Sequence, residues 1–122
     1  MRKYNKIYVA GPYTKGDVAV NVQTALAVGT LLLNEGFNPF IPHLSHFWHL
    51  VYHQPYEKWL EYDMVWLREC DAVVRIYGES NGADKEVDEA IRLNKFVIFL
   101  PETNYLNSLS NTIKELKHDG RA

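Results

Sequence analysis

Apolar and polar positions along the chain change period several times, and each change marks an element. Lys6-Ile7-Tyr8-Val9-Ala10 is a short apolar run ended by Gly11, which predicts a first strand. Asp17 is placed as an N-cap, and Val22, Ala25, Leu26, Gly29, Leu32 and Leu33 share one helical face up to about Glu35. Gly36 then ends that helix. Phe37 to Ile41 predicts a second strand, with Pro39 suited to a sheet edge. Trp59, Leu60, Trp66, Leu67 and Cys70 form an apolar stripe on a helix over 56–70. Ala72 to Tyr77 is a third strand, and Phe96 to Leu100, stopped by Pro101, a fourth. Between them Ala83, Val87, Ala90 and Ile91 recur at helix spacing. Leu106, Leu109, Ile113 and Leu116 do the same over about 105–117. Strands alternating with helices predict right-handed crossovers and a mainly parallel sheet. The expected fold is one three-layer α/β domain over residues 1–122, in flavodoxin-like or Rossmann-like strand order.

Composition narrows the function classes. The chain has 122 residues and 47% apolar content, enough for one ordinary core. Thirteen basic against fifteen acidic residues give a net charge of −2, with no basic stripe for a nucleic-acid polymer. No apolar run is long enough to span a membrane. Met1-Arg2-Lys3 leads straight towards the first strand without a signal-peptide pattern, and Cys70 is the single cysteine. Both features point to a reducing cytoplasm.

The candidate chemistry begins after the third strand. Gly78, Ser80, Asn81 and Gly82 form a small polar turn before a helix N-terminus, the junction at which open parallel sheets bind ligands. Glu86 lies near the first turn of that helix, on the edge of its apolar face. The helix dipole favours its ionised form and partial burial opposes it. Two readings stand: a desolvated nucleophile for an electrophilic sugar carbon, or a carboxylate that only complements the dipole. Asp63 falls in the middle of the Trp59–Trp66 stripe. There it needs a buried partner, a ligand or a raised pKa. Asp71, just before a strand, looks like an ordinary turn residue. The loop from Gly11 to Asp17 lacks the Lys-Ser/Thr of an ATPase phosphate loop and also reads as a plain turn. Pro42 to Pro55 holds four of the five histidines. His46, His49 and His53 recur at helical spacing, yet no cysteine joins them and Glu57 is the best carboxylate. A solvated face of a short helix accounts for them better than zinc.

Ser80-x-Gly82-x-x-x-Glu86-x-x-x-Ala90 resembles the nucleophile motif of the nucleoside 2-deoxyribosyltransferase superfamily, and most closely its 2′-deoxynucleoside 5′-monophosphate N-glycosidase branch. The resemblance extends to Tyr8-Val9-Ala10-Gly11-Pro12-Tyr13, to Asp63 and to Cys70-Asp71-Ala72-Val73-Val74, so it covers roughly residues 5 to 112. It implies Glu86 as nucleophile and Asp63 as the acid that assists the departing base. Substrate contacts would come from Tyr8 and Gly11 at the first strand end and from Tyr13, Thr14 and Lys15 in the following loop. His43 and Trp48 would serve the base, Ser80 and Gly82 the nucleophile loop, and Ser110 the phosphate site of a neighbouring subunit.

The resemblance thus implies N-glycosidic hydrolysis of a nucleotide by a homodimer, with no metal or organic cofactor. Base exchange between deoxynucleosides, cleavage of nicotinamide dinucleotide and an inactive nucleotide-binding module are the rival readings. The position of Ser80 is typically an aspartate in the transferases. A hydroxyl there instead suits a phosphate.

Overall fold

A computed structural model describes residues 4–119. Its elements, in order, are β1 (Lys6–Ala10), α1 (Val18–Asn34), β2 (Asn38–Phe40), a 3-10 turn (Pro42–Leu44), α2 (Ser45–Val51), α3 (Tyr56–Glu69), β3 (Ala72–Arg75), α4 (Asn81–Arg92), β4 (Phe96–Phe99) and α5 (Tyr105–Asp119). The four strands pair in the order β2-β1-β3-β4. Every pairing is parallel. The flavodoxin-like order is therefore observed, with the Pro39 strand at an edge.

Two apolar layers sandwich the sheet. On one face Ile7, Val9, Val74 and Ile98 meet Ala25, Val28 and Leu32 of α1 and Leu109, Ile113 and Leu116 of α5. On the other, Tyr8, Ala10 and Val73 meet Leu67 of α3 and Ala83 and Ala90 of α4. Strand residues alternate between the faces because the pleat has period two. α1 approaches the end of β2 closely: a Cβ on Gly29 would lie 2.2 Å from Ile41 Cδ1.

Local chemistry fixes the ends. Asp17 Oδ1 accepts from the Ala19 and Val20 amides at 2.9 and 3.3 Å, as an N-cap does. At the other end of α1, Gly36 adopts a φ of 90°. Its amide bonds the Leu33 carbonyl, and that of Phe37 bonds Leu32, which completes a Schellman motif. α4 ends the same way on Asn94, with φ 60° and the Lys95 amide on the Ala90 carbonyl.

Three expectations are corrected. Leu26 and Leu33 of α1, Trp66 of α3 and Ile91 of α4 are exposed. Each lies at an edge of its helix's apolar face, and Trp66 there stacks on Phe40 of β2. The third strand ends at Arg75, because the next two residues belong to the connection towards α4. Asp71 is more than a turn residue: its Oδ2 accepts from the amides of Asn5 and Lys6 at 2.8 and 2.9 Å, tying the start of β1 to that of β3. Among the described residues no helix is long and apolar enough to cross a membrane.

Candidate active site

Beyond the carboxyl ends of β1 and β3 lies a cavity of about 420 Å³. Parallel strands leave such a crevice where the connections on either side diverge. Gly11, Tyr13, Thr14 and Lys15 contribute one wall from the β1–α1 loop. His43 contributes from the turn after β2, Asp63 from α3, and Ser80, Gly82 and Glu86 from the N-terminal region of α4. Nine of the sequence-derived candidates thus converge on one space.

Glu86 is buried, with 5% of its surface exposed. The Tyr8 hydroxyl donates a hydrogen bond to its Oε2. Tyr8 does not line the cavity; it is fully buried and stacks on Phe40, holding the glutamate from behind. Burial raises the Glu86 pKa to about 7, while the Tyr8 hydrogen bond and the Arg75 charge pull it down. Asp63 is buried too, and its Oδ1 has no hydrogen-bond partner among the described residues. Desolvation, and then repulsion from Glu86, push its pKa up to about 8. Burial thus holds both carboxyls above the ordinary carboxylate range. A clamp ties the helices that carry the two carboxyls: Arg68 of α3 bonds Glu89 of α4 at 3.0 Å, and Arg92 closes on the same carboxylate.

The other candidates separate into those that face the cavity and those that do not. Ser80 is the N-cap of α4, its Oγ accepting from the Ala83 amide at 3.1 Å. A hydroxyl used as an acceptor still has its own hydrogen to donate. Lys15 pairs with Glu79 at 3.3 Å, both side chains being largely exposed. The Tyr13 hydroxyl bonds His46 Nδ1. His43 Nε2 donates to the Pro12 carbonyl at 2.8 Å, which fixes the β1–α1 loop, and burial lowers the pKa of the ring. Trp48 lies outside the cavity lining, half exposed and edge-on to Trp59 and Tyr62. Ser110 sits on α5, also outside that lining.

The α2 histidines point to different partners. His46 meets Tyr13, while His49 Nδ1 accepts from the Trp59 indole at 2.8 Å. Among the described residues no group of three His, Cys, Asp or Glu side chains is placed to hold a metal ion.

Several lining residues carry no clear chemical signal in the sequence. Tyr56 and Trp59 face the cavity from α3, and Lys85 from α4. Trp59 stands one turn before Asp63, so helical spacing alone could have found it. Tyr56 fits because its neighbour is glycine: a Cβ on Gly82 would lie 2.9 Å from the Tyr56 hydroxyl oxygen. Arg75, outside that lining, is a further residue to which the sequence draws no attention. It is the one charged side chain inside a strand that is otherwise Ala-Val-Val, and it is buried.

The solved structure of a 2-desoxiribosyltransferase from Leishmania mexicana shares this fold with a TM-score of 0.59. The match is 19% identical and covers 79% of this chain, which spans 63% of the length of that one. No curated protein matches the chain. Residues 5–100 match the family described as Domain of unknown function (DUF7768), and the chain belongs to that family.

Proposed function

We propose that this chain hydrolyses the N-glycosidic bond of nucleoside 5′-monophosphates, with Glu86 as nucleophile and Asp63 as the acid. The observation that carries this reading is the pair of buried carboxyls on one cavity, both held above the ordinary carboxylate range by burial. Repulsion between two such groups favours the state in which one carries a proton and the other does not, which divides the acid and nucleophile roles between them. In the first step a Glu86 oxygen bonds the anomeric carbon, the carbon–nitrogen bond breaks, and the base leaves with the proton of Asp63. In the second, water bonds the same carbon, the glutamate oxygen departs, and the water's proton passes to Asp63. Glycosyl chemistry also accords with the structural neighbour, a 2-desoxiribosyltransferase by name.

The choice of a monophosphate rests on the cationic part of the cavity lining. Lys15, Lys85, Ser80 and the first turn of α4 all contribute to that lining. Lysines and a helix N-terminus together favour an anion. The Lys15–Glu79 pair is exposed and weak enough for a phosphate to displace. Trp59, Tyr13 and Leu60 give the cavity aromatic and apolar walls suited to a base.

The test is a panel of nucleoside monophosphates, nucleosides and dinucleotides, with free base read by chromatography. Monophosphate cleavage is the expected result; base exchange on nucleosides with little hydrolysis would move the chain to the transferase reading. Ser80→Ala should lower kcat/KM for monophosphates by about 10- to 150-fold, from a lost charged hydrogen bond of about 1.5–3 kcal/mol. It should leave nucleosides nearly unaffected, and equal losses on both would confine Ser80 to its capping role.

The same reading takes the active species as a homodimer in which Ser110 serves the neighbouring site. Sedimentation should give twice the chain mass, and Ser110→Ala should raise KM for monophosphates. A fully active monomer would sink this assembly.

A further inference from the structure

Arg75 closes β3, and its guanidinium turns back under the connection to α4. One terminal nitrogen donates to the Ile76 carbonyl. The other donates to the Gly78 carbonyl at 2.9 Å and to Asp84 Oδ1 at 3.0 Å. Gly78 takes a φ of 111° at this point, so the loop curls around the cation. Asp84 is in the first turn of α4, two residues before Glu86. One buried side chain therefore fastens the loop that ends in Ser80 and the helix turn that carries Glu86. The Arg75 side chain is only 10% exposed, against 66% for Asp84. Asp84 can be screened by water, while the positive charge sits on the protein side of the site.

We propose that Arg75 is a positioning residue for the reaction: it holds the β3–α4 connection in the form that presents Ser80 and Glu86 to the cavity, and it places a buried positive charge against the turn of α4 two residues before Glu86. The other groups around Glu86 do not supply that charge. Tyr8 from β1 offers a neutral hydroxyl. Asp63 and Tyr56 from α3 couple to Glu86 as an acid and a phenol, and Asp84 on α4 is itself anionic. Lys85 reaches over the Tyr56 ring at 5.8 Å, and Lys15 pairs with Glu79. The Arg75 charge also bears on the second step, because there Glu86 leaves the anomeric carbon as an anion. Stabilising that anion makes it a better leaving group. The fork geometry matters as well, since a lysine cannot serve two carbonyls and a carboxylate in one plane.

This inference rests on Glu86 as nucleophile, so its test uses a readout that needs no turnover. Glutamate labelled with carbon-13 at the side-chain carboxyl reports the titration midpoint of Glu86 by NMR. In Arg75→Met the midpoint should rise by about one pH unit or more, since an opposite charge nearby shifts a carboxyl by that much. Arg75→Gln keeps an amide donor for the loop but no charge. It carries the same expectation and serves if the methionine variant does not fold. Arg75→Lys should restore the midpoint while leaving loop amides 76–80 faster in hydrogen exchange. With a cleaved substrate, the acid limb of kcat/KM should move with the NMR midpoint. An unchanged midpoint in both neutral variants would overturn the proposal. A moved midpoint in a chain that cleaves nothing would keep Arg75 in its role and remove the glycosidase reading instead.

Discussion

Glu86→Gln is expected to lower turnover of a cleaved nucleotide by about 10⁴-fold or more while leaving the chain folded and able to bind ligand. The substitution keeps the shape of the side chain and an oxygen for the Tyr8 hydroxyl, so the packing behind the site survives. What it removes is the anion proposed to bond the anomeric carbon. Among the described residues the other carboxyl on the cavity, Asp63, stands on a different helix. Base release by chromatography reads the rate, and calorimetric titration with a monophosphate reads the affinity, which should change by no more than a few fold. A 2-fluoro sugar substrate, which slows the second step, should leave a glycosyl adduct on Glu86 in the wild type and none in the variant. An active Glu86→Gln chain, or an adduct on another residue, removes the mechanism.

The strands and helices are legible because each carries a single period. Asp17, Gly36 and Pro39 punctuate them with residues whose backbone preferences admit few alternatives. Glu86 and Asp63 are legible for a different reason: a carboxylate inside an apolar stripe is costly enough to need an explanation. Arg75 obeys the same rule yet is easily missed, since a strand four residues long offers little context for one charge. Tyr56 and Trp59 are hidden by ambiguity, because an aromatic on a helix face fits a core as well as a cavity. Trp48 shows the reverse case. Its place in the aromatic run makes it a candidate for the base, yet α2 turns that ring against Trp59 and Tyr62 rather than into the cavity. The direction in which a seven-residue helix presents its side chains is set by tertiary contacts, which periodicity does not encode.

Asp63→Asn should give the second-largest loss, about 10²- to 10⁴-fold, and its signature lies in pH. In the wild type kcat/KM should rise through about pH 7 as Glu86 ionises and fall through about pH 8 as Asp63 loses its proton. The two limbs belong to the coupled pair, so the profile is a narrow bell. The variant should keep the rising limb and lose the falling one, and bases that are poor leaving groups should suffer most. Stability offers a check free of substrate. The folded Asp63 carboxyl binds its proton up to about pH 8, against an ordinary value of 3.8. Between those values the folded chain holds more protons than the unfolded one, so stability falls as pH rises across that window. Asp63→Asn removes this loss. The variant should melt near the wild type at pH 4 and about 5–10 °C above it at pH 8.5. Equal melting at both pH values, or a falling limb that survives the substitution, would show that Asp63 neither carries the buried proton nor delivers it to the departing base.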